Sequence, residues 1–93
     1  MAITITFVPE WHIVYLIRFL RWEFRDQGFV LSLRDATECV NMVNKGRPLI
    51  ISLASFSHIE SLNNIGVTWH ECECEYPQPY INLPNNHSSY IQR

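Results

Sequence analysis

Apolar and polar positions alternate over residues 3–8. Ile3, Ile5 and Phe7 fall on one side, and Thr4, Thr6 and Val8 on the other. That period of two predicts a half-buried strand. Pro9 then suits the first turn of a helix, where a missing N–H costs nothing. Residues 10–28, EWHIVYLIRFLRWEFRDQG, change to the helical period, with Ile13, Leu16, Ile17, Leu20 and Phe24 as the core stripe and Gly28 as the stop. Residues 31–48 hold the most regular stretch of the chain. Leu33, Ala36, Cys39, Val40 and Val43 recur at three- and four-residue spacing, Ser32 is placed to cap, and Asp35 sits in the first turn, where its charge suits the helix dipole. Gly46 and Pro48 supply the stop and the exit.

A branched run, LIISL over residues 49–53, predicts a second strand. Ser55 or Ser57 opens a short third helix, and Ser57 and Glu60 have capping-box spacing. Ile59, Leu62 and Ile65 are its expected buried face, and Asn63, Asn64 and Gly66 its stop. Residues 67–76 alternate again, but Val67 and Trp69 are apolar at odd positions and Cys72 and Cys74 at even ones, so a bulge near residues 69–71 is expected. The order β-α-α-β-α-β predicts an α+β domain over residues 1–76, a three-stranded antiparallel sheet with helices on one face. Residues 77–93 form an extended Pro-rich tail. Pro77, Pro79 and Pro84 oppose regular structure there, yet Tyr80, Ile81, Leu83, Tyr90 and Ile91 are too apolar for a typical disordered tail. Packing across the exposed sheet face is the favoured reading. Docking on another chain and disorder stay open.

Composition narrows the function. With 93 residues, 47% apolar and 17% charged, one packed core needs neither metal nor disulfide. A net charge of -2 argues against a nonspecific nucleic-acid binder. No apolar run is long enough to cross a membrane, and the first residues lack the basic and apolar regions of a signal peptide. Three cysteines suggest no disulfide framework, so a reducing, cytoplasmic setting is expected. Charge is uneven: six of the seven basic residues lie between Arg18 and Arg47.

The first helix is apolar well beyond its core stripe. Trp11, Val14, Tyr15, Phe19 and Trp22 widen the band, and arginines interrupt it. Either the helix is covered on most sides, or it presents an aromatic and arginine surface of the composition interfaces favour. On the second reading Trp11, Tyr15, Arg18, Trp22 and Arg25 are the partner-binding set.

Candidate chemistry is sparse. His70, Cys72 and Cys74 share one side of a strand and are of the ligand types zinc accepts, but a fourth ligand is missing and turns are the usual source. Core packing with a surface histidine is favoured over metal, and no cofactor is expected. Glu71, Glu73 and Glu75 line the opposite side, as charges that keep an exposed strand from aggregating. A nucleophile beside a histidine and an acid, such as Cys72, His58 and Glu60, arises from this composition by chance, so no catalytic residue is assigned and no enzyme is expected. No phosphate-binding glycine loop occurs.

Residues 3–75 resemble the fold shared by the C-terminal domain of ribosomal protein L7/L12 and the protease adaptor ClpS. The local match to the first is Leu31-x-Leu33-Arg34-Asp35-Ala36-x-Glu38-x-Val40. The stretch Asn44-Lys45-Gly46-Arg47 is similar to ClpS. Ser55 and Gly66 also fit. In the ribosomal domain a basic face of the first two helices recruits translation GTPases, which implies a role for Arg18, Arg21, Arg25 and Arg34. Ser32 stands here where that domain has glycine, and Thr37 where it has a basic residue. In ClpS an Asn-Asp pair after the first strand holds the substrate amino group; here that place reads Val8-Pro9-Glu10, and a ClpS histidine falls near Asn44.

The expected function is therefore a small noncatalytic protein-interaction module, an adaptor or modulator. A virus-type inhibitor docking on a host complex also suits the composition. A ribosome-associated translation component and a small metal-binding protein are the alternatives. A homodimer through the first helix or a swapped tail stays open.

Overall fold

The computed structural model describes residues 1–73 and 76–83. Strand β1 (Ala2–Phe7) is followed by a single 3-10 turn (Glu10–His12) and helix α1 (Ile13–Asp26). Helix α2 (Leu33–Asn44), strand β2 (Leu49–Ser52), helix α3 (Ile59–Asn64) and strands β3 (Thr68–Cys72) and β4 (Tyr80–Ile81) complete the order. Pro9 precedes the 3-10 turn rather than the α-helix, with His12 N–H donating to its carbonyl at 2.9 Å.

The sheet is antiparallel in the order β3-β1-β2-β4. Among the described residues it has four strands, not the three expected. The fourth comes from the tail and pairs Ile81 with Ile51 and Tyr80 with Ser52. Asn82 extends this edge: its Oδ1 accepts from Ile50 N–H at 2.7 Å, and its Nδ2 donates to the Pro48 carbonyl at 3.2 Å. The prolines at 77 and 79 precede the strand instead of interrupting it, and Ile81 and Leu83 are buried. The rest of the expected tail, residues 84–93, lies outside the described residues.

The bulge is displaced from its expected place. Ile5 faces Trp69 and Phe7 faces Thr68, so the extra residue is Thr6, on β1. Strand β3 keeps one phase. Side chains directly opposite in an antiparallel pair share a face. Trp69 and Glu71 therefore lie on the face of Ile5 and Ile3, and His70 and Cys72 on the face of Thr4 and Ala2.

Ile3, Ile5, Leu49, Ile51 and Ile81 join Leu16, Phe19, Leu20, Phe24, Ala36, Cys39, Val40, Val43 and Leu62 in one core. On α1 the buried stripe is rotated from the expected one. Leu16, Phe19, Leu20, Glu23 and Phe24 are buried, whereas Ile13 and Ile17 are only half-buried. The cause is the connector between β2 and α3, which lies on that side. Phe56 stacks on Phe19 with ring centroids 6.4 Å apart and planes 4° from parallel. On α2 the expected face is buried apart from Leu33, and Ser32 caps as expected, accepting from Asp35 N–H at 3.0 Å.

Each helix ends on a glycine of positive φ with two closing bonds. At Gly28 the φ of 87° lets Phe29 N–H reach the Phe24 carbonyl at 3.0 Å, while Gly28 N–H reaches Arg25. That turn sends residues 29–32 back along α1, and so builds one wall of the site described next.

Candidate functional site

A groove of about 440 Å³ runs between α1 and the segment entering α2. Val14, Ile17, Arg18, Arg21, Trp22 and Arg25 come from α1; Phe29, Val30, Leu31 and Leu33 come from the segment. The volume lies within the range of ligand sites, roughly 300–1,000 Å³. Its apolar members include side chains that globular packing does not need: Val14 is 65% exposed, Val30 60% and Leu33 57%. Trp11, at 80%, stands at the N-terminal approach to α1.

Of the five residues the sequence singles out, Arg18, Trp22 and Arg25 line this groove together. Trp11 and Tyr15 are exposed but are not among its lining. Arg21, which the resemblance places on a basic face, lines it as well, and the sequence reading missed Val30 and Leu33. One signal was available for these two: an apolar pair, Phe29 and Val30, follows the helix-stopping Gly28, and Leu33 sits at the first helical position, ahead of the first buried residues of α2, Asp35 and Ala36.

Arg21 fixes the wall. Its Nε donates to the Leu31 carbonyl at 3.2 Å. Among the described residues neither Arg18 nor Arg25 pairs with a carboxylate, and Arg34 pairs with Glu38 at 3.4 Å. The acids of α1 are engaged elsewhere. Glu23, 1% exposed, accepts from Ser57 N–H at 2.9 Å and from His58 N–H at 2.6 Å. It caps α3 from another helix. Ser57 and Glu60 do not form the expected capping box, and His58 occupies the cap position without a side-chain bond of its own. Asp26 Oδ2 lies 3.3 Å from His58 Nε2, and the Trp22 ring packs on the His58 ring at 5.9 Å. Gln27 holds the same connector through the Ala54 N–H and the Ser55 carbonyl.

The sulfur positions are separate from the groove. Cys72 and Thr4 are hydrogen-bonded through Sγ and Oγ1. His70 and Cys72 share a sheet face, as expected, while Cys74 lies outside the described residues. Among the described residues no three histidine, cysteine or acidic side chains gather as a cation site. Cys39 is in the core; burial pushes its thiol up to about 12, with the Asp35 and Glu38 carboxylates adding to the rise. No helix among the described residues is long and apolar enough to cross a membrane.

Comparison with protein-family models, with curated proteins and with solved structures gives no match.

Proposed function

We propose that this chain is a small noncatalytic protein-interaction module that docks on a protein partner through the outward face of α1. The observation that supports this reading is the concentration of exposed apolar side chains on that face and its approach: Trp11, Val14, Tyr15 and Trp22, with Val30 and Leu33 beside them. Exposed apolar patches of this kind mark interaction sites, and tryptophan, tyrosine and arginine dominate binding energy where they are buried by a partner. Trp11, Tyr15 and Trp22 are the anchors of the proposed contact, and Arg18 and Arg25 set its orientation. The role is that of a cytoplasmic adaptor, modulator or inhibitor, on a core like those of the ribosomal L7/L12 C-terminal domain and ClpS.

Site-specific photo-crosslinking in the native cell tests this. A crosslinker placed at Trp11 or Val14 is expected to give a discrete adduct that one at Asn44, about 16 Å along α2 from Leu33, does not give. Trp22→Ala and Arg18→Ala are expected to abolish the adduct while circular dichroism stays unchanged. Equal labelling from both faces, or an adduct indifferent to both substitutions, refutes the proposal. Ribosomal proteins or a translation GTPase in the adduct would assign the module to translation.

A further inference from the structure

The groove has two unlike walls. Arg18, Arg21 and Arg25 stand on the α1 side, and Val30 and Leu33 on the other, with Ile17, Phe29 and Leu31 among the remaining lining. We infer that its occupant is an amphipathic α-helix of a protein partner, with acidic side chains spaced along one flank and apolar side chains beside them. The inference rests on the reading of the α1 face as a partner surface and adds the chemistry of what lies there.

Charge and spacing carry the argument. The three arginines climb α1 in steps of three and four residues, about 4.5 and 6 Å, or about 10 Å in all. Acids at i, i+3 and i+7 of a parallel helix repeat that climb, as do acids at i, i+4 and i+7 of an antiparallel one. A strand sets same-side residues about 6.8 Å apart and falls out of step by the third arginine. The helix also has somewhere to place its apolar stripe, since grooves that receive amphipathic helices take anchors one and two turns apart. The exposed Val30 and Leu33 meet that stripe. A second copy of this chain docking through the same face is disfavoured, because two-fold pairing of α1 sets arginines against arginines. A phosphate backbone would match the arginines and leave the apolar wall uncovered.

Display selection on the intact protein tests the inference. One library presents amphipathic helices of about four turns with randomised surface positions; a second presents extended, proline-containing peptides of equal diversity. Arg21 is left unchanged because it holds the groove wall. The helical library is expected to yield binders with acids at the stated spacings. Arg18→Glu/Arg25→Glu is expected to weaken them about tenfold per reversed charge, and lysines at the acidic positions to restore binding to that variant. Leu33→Asp is expected to weaken them as well. Thermal melts establish that the variants remain folded. Binders that depend on the groove but are extended, or lack spaced acids, overturn the inference and leave the α1-face reading standing. Binders indifferent to all three substitutions, or none from either library, overturn both.

Discussion

Replacing Glu23 with glutamine changes one oxygen to an amide group on a side chain that is almost fully buried. The carboxylate accepts from Ser57 N–H at 2.9 Å through one oxygen and from His58 N–H at 2.6 Å through the other. Glutamine keeps one acceptor and turns a donor toward the second N–H. Hydrogen bonds to charged groups contribute about 1.5–3 kcal/mol each, and a buried N–H left unpaired costs about 1–3 kcal/mol. Relief of the carboxylate's own desolvation offsets part of this. The expected loss is about 2 kcal/mol for Glu23→Gln. Glu23→Ala adds the buried stem, about 0.8 kcal/mol per methylene, for a total of about 3–4 kcal/mol. Against a typical domain stability of about 5–15 kcal/mol, either loss is large. Urea unfolding followed by tryptophan fluorescence measures it, with Glu60→Gln, exposed in the first turn of α3, as the control expected to stay within about 0.5 kcal/mol. Amide exchange should rise at Ser57 and His58 before it rises in β1. If Glu23→Gln falls within about 0.5 kcal/mol of the wild type, the cap assigned to this residue is not what holds α3.

Three further outcomes are expected. In a Cys72→Ser/Cys74→Ser background, stability should be full below about pH 9. It should then fall as pH rises toward 12, because only the unfolded chain loses the Cys39 proton in that window. The slope is about 1.4 kcal/mol per pH unit and is absent in Cys39→Ala; equal alkaline unfolding curves would contradict this. Leu33→Ala should change stability by less than about 0.5 kcal/mol, whereas Leu20→Ala, at a fully buried position one turn before Phe24, should cost about 2–5 kcal/mol in the same urea titration. Asn82→Ala should cost about 1–2 kcal/mol and raise amide exchange at Ile50, since its side chain occupies the ladder positions beyond β4; unchanged exchange there would show that β4 holds without it.

The helices and three of the strands were legible because their signals are local. Ser32 caps α2 from three residues away, and the turns at the three glycines close their helices through bonds between residues three and five apart. What escaped is long-range. Strand β4 has two residues and no periodicity, and it exists because β2 offers an edge some thirty residues earlier in the chain. The cap of α3 looked local, in Ser57 and Glu60, but Glu23 lies on another helix and reads in the sequence as one more polar interruption of α1. The apolar phase of the sequence changes within β3, but the partner strand carries the bulge, at Thr6. For the site, three of the five named residues line one groove because they share a helix face. Val30 and Leu33 complete it through the turn at Gly28, whose direction the sequence pattern leaves open.

The two sides of α1 use its charges differently. The helix carries three arginines, Arg18, Arg21 and Arg25, and two acids, Glu23 and Asp26. Neither acid has an arginine three or four residues away, so the pairing that joins Arg34 to Glu38 on α2 is not open to them. Glu23 instead turns inward to the backbone of residues 57 and 58, and Asp26 reaches His58. Both acids are drawn to the connector that leads into α3, so the opposite flank keeps its arginines without internal counter-charges among the described residues. A chain of net charge -2 thus presents a local cationic wall. Arg21 then ties that wall to the Leu31 backbone, which holds Val30 and Leu33 across from it. Freeing Glu23 from the connector would therefore loosen α3 without placing a carboxylate among the arginines, because Glu23 lies on the buried face of α1 and they lie on the exposed one. The stability of the connector and the charge of the groove should change independently.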